Sequence, residues 1–182
     1  SRRPQAAPAE TAKRGRVIGV GRAAGGSGAS TIATNLAIEL LDRKGVFKKS
    51  AQRKVVLVDL NPQFGSIGLA LDLESERGLA ALAMDAEVPD AVFVETIIDK
   101  HESGLDVIAG PSSPVPLDAL EPEQVSSLLD VLGQMYEYVV LDLPSVVVAW
   151  EEPLINRLDR LFLVSNLSVP ALLHTKRMME FF

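Results

Sequence analysis

Five stretches of the chain are apolar at nearly every position: Val17 to Gly21, Lys54 to Leu60 (KVVLVDL), Leu105 to Ala109, Tyr138 to Leu143 (YVVLDL) and Leu161 to Ser165 (LFLVS). Uninterrupted runs of this length predict strands buried on both faces. Between them the spacing turns helical. Ile32, Leu36, Leu40 and Leu41 predict a helix from about Ser30 to Asp42. Further helical stretches fall around 78–84, 90–99, 121–134 and 150–157, and a last one runs from Pro170 onward. Pro122, directly after Glu121, suits a helix start. Strands alternating with helices predict βαβ units, and hence an α/β three-layer sandwich around a mostly parallel central sheet.

In such sheets ligands sit at the carboxyl ends of the strands. The first apolar run ends in a glycine-rich loop, the second in Asp59 and the fourth in Asp142. The loop reads Gly21-Arg22-Ala23-Ala24-Gly25-Gly26-Ser27-Gly28-Ala29-Ser30-Thr31, between a strand and a helix. Its glycines let the backbone turn sharply and bring N–H groups inward, which with the helix N-terminus makes a seat for phosphate. Ser30 stands where a phosphate-binding loop of the form G-x-x-x-x-G-K-[ST] places its Mg²⁺-ligating hydroxyl. Asp142 stands where a second Mg²⁺-organising carboxylate belongs. The pattern also departs from that form, with Ala23 at the first glycine position and Ala29 at the lysine position. On the loop alone, a glycine-rich turn with no ligand is the rival reading. Ser30, Asp59 and Asp142, in that order, argue against it.

The chain holds 24 acids against 18 bases and no cysteine, which excludes disulfides, thiolate metal sites and cysteine-based catalysis. Arg2, Arg3, Lys13, Arg14 and Arg16 concentrate basic charge near the start, leaving an acidic body unsuited to broad contact with nucleic acid. Residues 1–15 show no apolar periodicity and read as a flexible arm or linker, ahead of one domain over 16–182. No apolar run approaches the roughly 18 residues of a spanning helix, and no signal peptide is visible; a cytoplasmic location is the expectation.

The segments AAGGSGASTIATNLA, VVLVDLNPQFGSIGLALDLESERGL and YEYVVLDLP resemble the ParA/MinD superfamily of deviant-Walker ATPases, and within it the CpaE/TadZ-type pilus-assembly branch. The resemblance covers about Arg16 to Phe182 and implies a P-loop NTPase-like fold that binds ATP and Mg²⁺. It implies that Ala24, Gly25, Gly26, Ser27, Gly28, Ala29, Ser30 and Thr31 cradle the nucleotide. Ser30, Asp59 and Asp142 would organise the metal, and Asp59 with Asn61 would serve any catalysis. Asp59 matches the first switch aspartate of the family and Asp142 its Walker B aspartate. Ala29 replaces the lysine that neutralises the β- and γ-phosphates, and Ala24 the lysine that reaches across the dimer. Asn61 stands where active members carry a second, water-positioning aspartate. Arg22 lies close by in the sequence and could supply part of the missing charge.

The resemblance therefore implies a homodimer around ATP with weak or no hydrolysis. It would act at the cell pole, or the inner face of the membrane, with pilus-assembly proteins. The alternatives are a nucleotide-free scaffold and an active ParA-type partition ATPase; the latter is disfavoured by Ala24, Ala29 and Asn61. Relatives continue with further strands and helices, so the C-terminal part is expected to be missing. Three other features have plain readings. The basic stretch Asp42 to Lys54 suits a solvated loop. Trp150 fits either a dimer-facing segment or a helix start packed on the core. Leu172, Leu173, Met178, Met179, Phe181 and Phe182 predict a final helix with a core face.

Overall fold

A computed structural model of the chain describes residues 14–41, 52–73, 77–85, 87–144, 146 and 148–181. Most of the N-terminal arm and most of the basic stretch 42–54 lie outside them. The strands are β1 (Arg16–Arg22), β2 (Val55–Asp59), β3 (Asp99–Lys100), β4 (Asp106–Ile108), β5 (Tyr138–Asp142) and β6 (Arg160–Val164). They form one sheet in the order β3-β4-β2-β5-β1-β6. Every pairing is parallel except that of β3 with β4.

The strand residues divide by parity between two cores. Val56 and Val58 of β2, Val139 and Leu141 of β5, and Val17 of β1 enter one cluster. Val55 and Leu57, Val140 and Val20 enter the other. Because successive side chains of a strand point to opposite faces, this split means the central strands are covered on both sides. One face carries α1 (Ala29–Leu40) and the short α2 (Ile67–Ala70). The other carries α3 (Gly78–Met84), α4 (Ala91–Thr96), α5 (Pro122–Met135) and α6 (Glu151–Ile155). This is the three-layer α/β sandwich that the apolar runs predict. Among the described residues no helix is long and apolar enough to cross a membrane.

The departures are local. The helix expected over 90–99 stops at Thr96, and Asp99–Lys100 instead pairs antiparallel with Asp106 and Val107. Gly104, at φ 86°, turns the chain between the two strands. Trp150 is fully buried in the core, which decides for packing over a dimer-facing role. The final helix, α7 (Val169–Phe181), corrects the expectation of a core face. Among the described residues of this helix only Ala171 is buried, whereas Leu172, Leu173 and Met179 are more than half exposed. The reason is placement: β6 is the sheet edge, and no described element lies beyond it.

Helix α5 shows how a single polar residue ties the layers together. Gln124 is buried, and its side-chain oxygen accepts the N–H of Glu121 at 2.9 Å in a capping box. Its amide nitrogen donates to the carbonyls of Leu82 at 3.2 Å and Asp85 at 2.6 Å, at the end of α3. Replacing it with an apolar residue of similar size strands those groups without partners, at about 1–3 kcal/mol. Gln124→Leu is expected to lower the urea-unfolding free energy by that amount despite the gain in hydrophobicity. A variant as stable as the parent would refute this role.

Candidate functional site

The loop between β1 and α1 contains the two left-handed backbone positions of this region, Gly26 at φ 70° and Gly28 at φ 86°. A side chain at either would be strained. A methyl group built on Gly25, Gly26 or Gly28 meets nothing within 4 Å, so these glycines serve the turn and leave open space beside it. Gly28 caps α1 without any side-chain hydrogen bond. No backbone carbonyl among the described residues accepts from the N–H groups of Gly25 through Thr31. A row of unmet N–H groups at the start of a 12-residue helix, where the helix dipole adds positive potential, is an anion seat. Ser27 adds a buried hydroxyl with no partner. Ala24 and Ser30 are half-buried, Thr31 is exposed, and Ala29 is buried with its methyl in the core beneath α1.

At the other side of the loop, three side chains converge. Asp142 ends β5, in register with Val20 of β1. Arg22 lies two residues further along β1 and so projects to the same face as Val20 and Asp142. Its Nη2 donates to both Asp142 oxygens, at 3.0 and 3.1 Å, and lies 3.2 Å from Ser30 Oγ. Ser30 Oγ donates in turn to Asp142 Oδ2 at 2.6 Å. The Asp142 side chain is 1% exposed and that of Arg22 18%. Burial lifts the Asp142 carboxyl above its ordinary value, while Ser30 and Arg22 pull it back part of the way.

Asp59 is the register partner of Asp142 on the neighbouring strand and is itself fully buried. Its carboxylate turns to the following loop. Oδ1 accepts the N–H of Asn61 at 3.1 Å, and Oδ2 accepts those of Ser66 at 3.0 Å and Ile67 at 3.2 Å. Asn61 is buried beside it. Gly65 and Gly110 close over the carboxylate. A methyl built on either would come within 2.7–2.8 Å of the other's Cα and 3.0 Å of Asp59. Sequence reasoning singled out neither glycine, since each is required by a backbone that comes near only in the fold. It noted Arg22 as a nearby charge. The further signal was its position, two residues beyond Val20 on a strand parallel to the one carrying Asp142.

No protein-family model matches the chain. It is 26% identical over 132 residues to the tyrosine-protein kinase ptk of Acinetobacter johnsonii, which covers 71% of this chain and 16% of that protein. Among solved structures it is similar to a ParA family ATPase from Chlorobium tepidum, with a TM-score of 0.77 and 26% identity over 93% of this chain and 68% of that one. The septum site-determining protein MinD of Pyrococcus horikoshii, solved with Mg-ADP, gives 0.68 at 20% identity, covering 91% and 64%. The fold is that of the ParA/MinD ATPases. The chain spans about a sixth of the curated kinase and about two thirds of the ParA structure.

The two groups bound by proteins of this fold meet different receptions here. The unmet N–H groups, the open space beside the glycines and the orphan Ser27 hydroxyl fit a phosphate chain. Ser30 and Asp142 are donors of the kind Mg²⁺ takes, but as they stand they do not fit the ion, because the Arg22 guanidinium already contacts both. Asp59, expected at the metal, has its oxygens on three amides. Among the described residues no three His, Cys, Asp or Glu side chains come together to hold a metal.

Asp59 should leave its mark on stability. Burial, helped by the nearby Asp142, lifts its pKa from 3.8 to about 6 against the pull of the three amides. Between those values the folded chain keeps a proton that the unfolded chain has released. The resulting stabilisation is full below pH 4 and disappears as pH rises through 6. The lift is worth about 3 kcal/mol. In urea titrations with EDTA, the stability of the parent relative to Asp59→Asn is expected to fall by that order from pH 4 to 7. A pH-independent difference would refute it.

Proposed function

We propose that the chain binds ATP on the Gly25–Thr31 loop and hydrolyses it very slowly or not at all, so that the nucleotide acts as a slow switch. The observation that carries this is the loop itself: a full set of unmet backbone N–H groups beside alanines at both lysine positions, Ala24 and Ala29. Grip on a phosphate chain comes from N–H groups and the helix terminus, which are present. Rapid transfer of a γ-phosphoryl group needs preorganised positive charge and an oriented water. Loss of one such donor typically slows a reaction by about 10²–10³-fold, and here two lysines are replaced. Asn61 can orient a water but is a poor proton acceptor.

The nucleotide reading also draws on the similar proteins, an ATPase in C. tepidum and MinD with Mg-ADP in P. horikoshii. The finer role follows the sequence resemblance to the CpaE/TadZ branch. In it the chain is a nucleotide-dependent homodimer, closed around ATP, which marks the cell pole or inner membrane face and recruits proteins that assemble Tad-type pili. The GGSGAST loop, the QFGS after β2 and SVPALLHTKRMM at the start of and within α7 support that branch. A nucleotide-free scaffold is the second reading. What favours it is that Arg22 already compensates Asp142, so the site needs no ligand to balance its charge.

Calorimetric titration with ATP, alongside a phosphate-release assay, tests the proposal. The parent chain is expected to bind ATP, Gly28→Val to lose at least tenfold in affinity, and phosphate release to stay far below one turnover per second. Heat of binding unchanged in Gly28→Val, or turnover of several per second, would overturn it.

A further inference from the structure

We propose that Arg22 is a built-in cation of this site: its guanidinium stands where a divalent ion would bridge Ser30 and Asp142, so that the loop takes a nucleotide without Mg²⁺. This deepens the ATP-binding reading above and rests on it. One nitrogen, Nη2, makes all three contacts of the corner, at 3.0 and 3.1 Å to the Asp142 oxygens and 3.2 Å to Ser30 Oγ. A single positive centre joining a loop hydroxyl to a strand-end carboxylate is the connectivity a bridging metal would have. The guanidinium also has donors to spare, since its Nε is buried without a partner. Ser27 Oγ, in the adjoining loop, is likewise buried and unpartnered.

Three features keep Arg22 in place against competition from the ion. Its backbone is fixed as the last residue of β1, in register with Val164 of β6. Its partner Asp142 is almost wholly buried, and a buried carboxylate stripped of its counter-charge is strongly disfavoured. Mg²⁺ sheds water reluctantly and asks for a near-octahedral set of oxygens. Here the neighbouring carboxylate already accepts the amides of Asn61, Ser66 and Ile67, which leaves it little capacity for such a set. The ion would have to displace a tethered guanidinium. A guanidinium presents several N–H donors in a fixed plane suited to phosphate oxygens, so the charge already present can serve the ligand directly.

The experiment has two arms. In the first, without nucleotide, thermal unfolding of the parent, Arg22→Ala and Arg22→Ala/Asp142→Asn is followed with and without millimolar Mg²⁺ at matched ionic strength. The parent melting temperature is expected not to respond. Arg22→Ala should melt lower and be raised by Mg²⁺, because the ion can then enter the vacated corner, and the double variant should not respond. Arg22→Gln replaces Arg22→Ala if the latter does not fold. A parent stabilised by Mg²⁺ as much as the single variant, or a single variant indifferent to Mg²⁺, overturns the proposal.

In the second arm, ATP binding to the parent is titrated in Mg²⁺ and in EDTA. Equal affinity supports the proposal, and a loss of roughly tenfold or more in EDTA, about 1.4 kcal/mol, overturns it while leaving the ATP reading intact. No binding under either condition overturns the ATP reading and the nucleotide half of this proposal. The melting arm then still reports whether Arg22 holds the corner against the ion.

Discussion

Two buried carboxylates side by side set the terms for this molecule. Asp59 and Asp142 are register partners at the ends of β2 and β5, at the middle of the sheet. Like charges so placed, out of water, cannot both ionise without compensation. The chain compensates them by different means. Asp59 takes three backbone N–H groups and thereby fastens the segment from Asn61 to Ile67 over the sheet end. Asp142 takes one guanidinium and one hydroxyl, and thereby fastens β1 and the start of α1 to β5. The two loops that border the site are held by these compensations, and Gly65 and Gly110 are small because the carboxylate lies directly beneath them.

The glycine loop stands between these fixed points with a different character. Among the described residues no carbonyl accepts from the N–H groups of Gly25 to Thr31, and the buried Ser27 hydroxyl is unpartnered. Unmet polar groups of this kind are disfavoured unless water or a ligand meets them. The exposure of Gly25, Gly26 and Gly28 lets water do so in the free protein, and leaves room for an anion to replace it. Recognition by backbone does not depend on the side chain at position 29, so it survives an alanine there.

How much of this was legible follows from the range over which each feature is determined. The central strands read clearly because burial on both faces makes every position apolar, as in VVLVD and YVVLD. The glycine turn and the two aspartates read clearly because each is announced by its strand. The pair Asp99–Lys100 did not, since two residues carry no period and their pairing with β4 is set by the turn at Gly104. The placement of Asp59 on loop amides was illegible for another reason. It depends on the backbone path of residues 61–67, and an aspartate at a strand end has the same letter whether it faces a metal or a loop. Arg22 lay in between. Its face could be read from Val20, but its distance to Asp142, 120 residues away in sequence, comes only from the register of β1 with β5. The apolar positions of α7 misled because periodicity tells which face is apolar, not whether another layer covers it.

The identity of the cation bears on what the site can do. A group accelerates a reaction only to the extent that it binds the transition state more strongly than the ground state. A guanidinium anchored by three contacts to Ser30 and Asp142 is held by the protein before any ligand arrives. The nitrogen that makes those contacts is spent on Ser30 and Asp142 rather than on the oxygens of a ligand, so the charge favours affinity for an anion over stabilisation of a transferring phosphoryl group. The same conclusion comes from the opposite side of the site, where the Asp59 carboxylate is committed to holding a loop and Asn61 supplies no base. Two independent substitutions of role, one at each carboxylate, thus favour holding a phosphate chain over cleaving it.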